Sequence, residues 1–238
     1  ASVIHEMVSN GVTIVASARG DTWGAVRGIE GVIRVGQLNR QKNYIPYDVW
    51  EPEVDIYTSC LWVSSPTISN LQSPNNCRLN RYGGSSYGAP LVSSCVALMK
   101  SVNPGLCPDM IEQIIKSTHQ GLPANAAAWN SDPANVNRQI TAGVLDAEAA
   151  VLAARDYGKY TITGNVTWNT DRYVSELVIE PGAELTITGG ATIKFSHVAS
   201  ALVKRGARLI VDNATLTNNQ CGGDQWRGIR VWGNANLP

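Results

Sequence analysis

The feature that most constrains this chain is a repeat in its last third. Val178-Ile179-Glu180-Pro181-Gly182-Ala183-Glu184-Leu185 recurs as Leu202-Val203-Lys204-Arg205-Gly206-Ala207-Arg208-Leu209, and Ala191-Thr192-Ile193 recurs as Ala214-Thr215-Leu216. The offset is about 24 residues, within the range of stacked repeats. A unit that short cannot bury its own apolar face, so the copies must cover one another. Alternating short strands are expected at residues 160–163, 177–179, 185–187 and 192–195, and Trp226 to Gly233 reads as the next one. This pattern predicts an all-β, right-handed parallel β-helix or similar β-solenoid over residues 158–238. A small β-sandwich is the alternative. Nothing before Pro238 reads as a capping segment, so further coils are expected in a longer parent chain.

Before Tyr157-Gly158 the pattern is different. Val3, Ile4, Met7 and Val8 recur at helical spacing, and Asn10-Gly11 stops the helix. Short, nearly continuous apolar runs follow at residues 12–18 and 31–36, with a weaker one at residues 54–57. Such runs suit parallel strands covered on both faces. Residues 64–81 show no periodicity. Pro108 to Thr118 reads as a helix with Pro near its start and acids in its first turn. Gly121 to Gln139 reads as a polar loop, and Gly143 to Ala154 as a last helix. Residues 1–157 are therefore expected to form an α/β layered domain with a parallel sheet.

Within that domain, Tyr82-Gly83-Gly84-Ser85-Ser86-Tyr87-Gly88-Ala89-Pro90 runs into an apolar helical stretch that ends near Lys100. Glycines without a Cβ let the backbone bend sharply and approach another chain closely. The free N–H groups and positive end of the following helix point back at Ser86. A serine so placed can attack a carbonyl while backbone N–H groups receive the developing oxyanion. The plainer alternative is a serine-capped helix after a glycine turn.

Gly84-Ser85-Ser86-Tyr87-Gly88-Ala89-Pro90 resembles the Gly-Thr-Ser-x-Ala-x-Pro motif of subtilisin-like serine proteases, with Ser85 in the Thr position and Gly88 in the Ala position. Asn10 to Ala18 is similar to the family's strand ending Ala-Ala-Gly-Asn. Val32-Ile33-Arg34-Val35-Gly36 resembles its Val-Ile-x-Val-Gly, and Val54-Asp55-Ile56 its Val-Asp-Ile, although Tyr57-Thr58-Ser59 replaces the usual Ala-Pro-Gly. The resemblance runs in family order over about residues 1–155. It implies the C-terminal part of a subtilisin-like catalytic domain with Ser86 as nucleophile. Ser17, Ala18, Arg19, Gly20 and Asp21 would then border the oxyanion and substrate-binding region. The family's oxyanion Asn is replaced by Gly20, or by Asp21 if one residue is inserted. An ionised Asp only accepts hydrogen bonds. The motifs that carry the family's Asp and His, Asp-x-Gly and His-Gly-Thr-His, do not occur, and His5, His119 and His197 do not stand where the base would. The resemblance therefore implies that the upstream half of the same catalytic domain is a partner of this chain. Calcium is possible by family resemblance, but no site is visible in the sequence and no cofactor is identified.

Two other readings stay open. One is a catalytically inactive pseudo-protease serving as a scaffold or surface-binding protein, supported by the altered oxyanion position and by Arg19 where the family has Gly. The other places the function in the repeat region, binding or cleaving polysaccharide. That region lacks the clustered carboxylates glycoside chemistry needs.

With 19 basic and 19 acidic residues the net charge is +0, so nothing favours nucleic acid as a partner. No apolar run reaches the ~18 residues of a membrane span. Plentiful Gly, Ser, Thr and Asn suit a secreted or cell-surface protein, and a polypeptide is the expected substrate. Of five cysteines, Cys60 and Cys77 flank a loop and are candidates to bridge. Cys95 reads as a buried thiol on a helix, and Cys107 and Cys221 have no evident mate. No Cys-x-x-Cys occurs, so no metal site is expected. Asn165-Val166-Thr167 and Asn213-Ala214-Thr215 are formal glycosylation sequons. Arg19-Gly20-Asp21 spells an integrin-type tripeptide, too short to carry weight. Glu51, Glu53 and Asp55 alternate as on the solvated face of an edge strand.

Overall fold

The computed structural model describes residues 2–18, 26, 28–44, 53–60, 63–68, 77–219, 221 and 225–233. The chain forms two compact units. One comprises residues 1–8, 12–98 and 108–151, the other residues 9–11, 99–107 and 152–238.

The first unit is built on a parallel sheet of β1 (Ile14–Ser17), β2 (Val32–Leu38) and β3 (Ile56–Ser59), in that spatial order. Ile14 pairs with Val32, and Val35 with Ile56. Helix α1 (Ser2–Ser9) precedes β1, and Gly11 at φ 82° turns the chain between them. The central strand is covered on both faces, with Val32, Ile33, Val35 and Leu38 fully buried. Its Gly36 admits the Tyr57 ring, which a Cβ at that position would strike. Residues of β1 are only half-buried.

The start of β3 corrects the expectation of a solvated edge. Asp55 is 4% exposed and lies just before the strand. Its Oδ2 accepts from Arg34 Nε at 2.6 Å, and its Oδ1 accepts from Arg34 Nη2 and from Lys116 Nζ. Glu112 takes part too, accepting from Lys116 Nζ and from the Gly31 N–H at 2.7 Å. The carboxylate tolerates burial because it is paired and hydrogen-bonded. These bonds also raise the Arg34 pKa above its usual value, the Asp55 hydrogen bond contributing most. Glu51 lies outside the described residues.

Three further sequence expectations change. Residues 64–81 are not a featureless loop, for β4 (Val63–Ile68) and β5 (Cys77–Tyr82) pair antiparallel, Val63 opposite Tyr82 and Ile68 opposite Cys77. The polar stretch after residue 121 contains helix α4 (Ala126–Ser131), following α2 (Ser85–Val102) and α3 (Pro108–Ser117). Beside it the Asn125 amide bonds both the N–H and the C=O of Tyr44, imitating a strand partner. The last helix, α5 (Ala147–Asp156), starts later than periodicity suggests. Residues 143–145 run extended beside β3 (Tyr57 N–H to Gly143 O, Leu145 N–H to Tyr57 O), and Asp146 then caps the helix through the Ala149 N–H.

Among its described residues the second unit has ten short strands: β6 (Lys159–Ile162), β7 (Asn165–Trp168), β8 (Arg172–Val174), β9 (Glu176–Ile179), β10 (Glu184–Ile187), β11 (Thr192–Phe195), β12 (Ala201–Val203), β13 (Arg208–Val211), β14 (Thr215–Asn218) and β15 (Ile229–Val231). Each pairs, always in parallel, with the strand three places away. The result is three sheets ordered β15-β12-β9-β6, β13-β10-β7 and β14-β11-β8. The sequence repeat is their register: Leu185 faces Leu209, Leu177 faces Ala201 and Thr192 faces Thr215. Alternate residues enclose one core, including the fully buried Leu177, Leu185, Ile187 and Ile193. Equivalent polar positions carry opposite charges, so Lys204 bonds both carboxylate oxygens of Glu180 and Arg208 lies 3.2 Å from Glu184.

Within this unit Cys107 and Cys221 form a disulfide across 114 residues of sequence. Cys60 is a free, buried thiol, which corrects the expected bridge to Cys77. Cys95 is also free and buried.

Candidate active site

Helix α2 begins where the glycine turn ends. Gly84 has φ 139°, a backbone conformation that favours glycine, and its carbonyl accepts from the Tyr87 N–H at 2.9 Å. Ser85 and Ser86 are the first two residues of the helix and differ in environment. Ser86 is exposed at the helix mouth, whereas Ser85 is 5% exposed. Ser85 Oγ lies 2.6 Å from Ser17 Oγ at the end of β1. That contact brings together the sequence regions 17–18 and 84–86, which spacing alone placed 68 residues apart.

The helix sits close on the sheet because residue 88 is glycine. A Cβ there would stand 2.8 Å from Thr58 Cγ2, 3.0 Å from Val35 Cγ1 and 3.2 Å from Cys60 Sγ. Burial pushes the Cys60 thiol up to about 11, while backbone hydrogen bonds involving Leu38, Gly84 and Gly88 pull the other way. Cys60 is thus a neutral packing group beneath the serine turn. Pro90, inside the helix, lacks the N–H that would bond the Ser86 carbonyl. Farther along, the Ser93 and Ser94 hydroxyls donate back to the carbonyls of Ala89 and Pro90.

Of the other candidate positions, Ser17 is half-buried, and Ala18 is fully buried with its N–H bonded to the Val35 carbonyl. Arg19, Gly20 and Asp21 lie outside the described residues. His119 is engaged with the segment from Gly121 to Gly143. Its Nδ1 accepts from the Gly121 N–H, and its ring packs over Gly143. The pairing of Ser85 with Ser17 has no signal in spacing, so the sequence could not reveal it. Among the described residues no group of three or more His, Cys, Asp or Glu could hold a metal ion.

The described geometry is thus an exposed serine at the mouth of a helix that a glycine packs onto a parallel α/β sheet. The profile of the Subtilase family (peptidase S8) matches residues 6–161, and the chain belongs to that family. Among solved structures it is similar to the proteases from Pseudoalteromonas arctica PAMC 21717, with 26% identity over 65% of this chain and 47% of that one, at a TM-score of 0.50. It also matches fervidolysin from Fervidobacterium pennivorans, a keratinolytic enzyme related to subtilisin, with 20% identity over 70% of this chain and 26% of that one, at a TM-score of 0.48. The chain thus spans about half the length of the first of these structures. No curated protein sequence matches it.

Proposed function

We propose that the chain is part of a secreted subtilisin-like serine endopeptidase in which Ser86 attacks a peptide carbonyl and forms an acyl-enzyme. The single observation that carries this reading is the exposed Ser86 at the start of α2, within a chain of the subtilase family. Its side chain is exposed to solvent, and the unpaired N–H groups that a helix start carries are suited to receive an oxyanion formed there. The neighbouring Ser17-Ala18 strand end suits one wall of the substrate site. Secretion is supported by the Cys107–Cys221 disulfide, a bond that persists in oxidising compartments.

The family's Asp and His would come from the upstream half of the same domain. Two observations favour such a partner. Among the described residues the outer edge of β1 has no strand beside it. Val3, Met7, Val12, Leu91 and Leu98 expose apolar side chains within the same unit. The repeat region, from about residue 158, is read as a three-sided parallel β-solenoid serving as an accessory module. The three-strand periodicity and wholly parallel pairing support that reading, and the usual hand of parallel crossovers makes it right-handed.

The test is peptide-bond hydrolysis by the full-length protein, comparing wild type with Ser86→Ala on an unstructured polypeptide such as casein. The reading expects activity that Ser86→Ala lowers by about three orders of magnitude or more. Activity unchanged by Ser86→Ala would overturn it. No activity in either protein would favour the pseudo-protease alternative.

A further inference from the structure

We propose that the Ser17–Ser85 hydroxyl pair is a positioning clamp that fixes the nucleophile's turn against the end of β1, with Ser85 donating and Ser17 accepting. The inference rests on Ser86 as nucleophile and assigns a role to its neighbour. Ser85 and Ser17 are not themselves catalytic; they act through the placement of Ser86.

The turn needs an external anchor. Gly83 and Gly84 precede it, and glycines restrain a backbone least. Pro90 follows it and withholds one helical hydrogen bond from the Ser86 carbonyl. The restraint inside the first turn is therefore weak on both sides. Gly88 fixes how closely the helix lies on Thr58 and Val35. The 2.6 Å bond from Ser85 to Ser17 ties the helix start to the strand end beside it. Ser85 is the first residue of the helix, with Gly84 before it at the cap position, and its hydroxyl reaches across to the sheet.

The direction of the bond follows from burial. Each hydroxyl brings one proton, so a pair sharing a single bond leaves one proton over. A buried donor without an acceptor is costly. Ser85 is almost fully buried and Ser17 is half-buried. The spare proton therefore belongs to Ser17, where solvent can take it, and Ser85 is the donor.

The experiment uses the full-length protein with Ser17→Ala, Ser85→Ala, the double variant and Ser85→Thr. Two quantities are read: the rate at which a fluorophosphonate labels Ser86, and the amide exchange of Tyr87 and Gly88. The clamp predicts that Ser17→Ala slows labelling about tenfold or more, because small misplacements of a reacting group have large effects. Ser85→Ala should slow it less, since no buried donor is left behind. The double variant should be no slower than Ser17→Ala, and Ser85→Thr should stay near wild type. Multiplicative effects in the double variant, or unchanged labelling and exchange, would overturn the clamp. A larger loss from Ser85→Ala than from Ser17→Ala would overturn the direction of the bond. If the wild-type protein takes no label, the nucleophile reading fails and amide exchange alone decides. Faster exchange of Tyr87 and Gly88 in Ser17→Ala then supports the clamp, and unchanged exchange rejects it.

Discussion

In the repeat unit, the core position Leu185 lies between Val166 and Leu209, its equivalents on the neighbouring strands, and is fully buried. In the first unit, Val35 is just as buried, but its neighbours Ser17 and Ile56 come from separate parts of the chain. The repeat supplies its own cover from nearby sequence, Val166 lying 19 residues before Leu185 and Leu209 24 residues after it. The α/β sheet gathers its cover from distant segments, so one missing neighbour leaves a whole strand uncovered. Among the described residues β1 has a strand on one side and is half-buried, whereas β2 is flanked on both sides and is buried. The same contrast recurs inside the repeat. Val231 occupies the register of Val203, yet it is 69% exposed where Val203 is 4%.

The sharpest break of this comparison lies in the ion pairs. Asp55→Ala would strand the Arg34 guanidinium, whose side chain is 12% exposed, and should destabilise the first unit by about 3–5 kcal/mol in urea unfolding. Glu180→Ala removes a pair in the repeat that is closer to water, and should cost no more than about 1 kcal/mol. Equal effects would show that the two units do not differ in how they bury charge.

Core truncation gives the next contrast. Ile193→Ala, in a covered strand, should cost about 2–5 kcal/mol. Val231→Ala should fall within about 0.5 kcal/mol, as at surface positions. A large effect at Val231 would mean that its side chain is covered in solution. Gly88→Ala presses a Cβ into Thr58 and Val35 and should cost about 1–3 kcal/mol, slowing the labelling of Ser86 as the helix start is displaced. The smallest effect concerns Cys60. With its thiol raised to about 11, the native protein should leave it unmodified by a thiol reagent at pH 8, and denaturant should expose it.

What the sequence disclosed follows the same division. The repeat was legible because its period is also its pairing register. Even so, β7 and β8 carry no strand signal, since Asn165 to Trp168 and Arg172 to Val174 lack a clean apolar alternation. In the first unit the apolar runs marked β1 and β2, and the glycine-serine turn marked the start of α2. The β4–β5 hairpin was hidden in a Ser- and Pro-rich stretch with no period. Asp55 looked solvated because nothing in its neighbourhood announces Arg34 or Lys116. Cys107–Cys221 and Ser17–Ser85 are pairings that local pattern cannot express, being made by chain segments far apart in sequence.

The most direct measurement is the mapping of a fluorophosphonate adduct on the full-length protein by peptide mass spectrometry. Ser85 and Ser86 are adjacent and chemically identical, but Ser85 is buried against Ser17 while Ser86 is exposed at the helix mouth. The account predicts a single adduct on Ser86. An adduct on Ser85, or a protein that takes no label where a subtilisin-like control does, would contradict it.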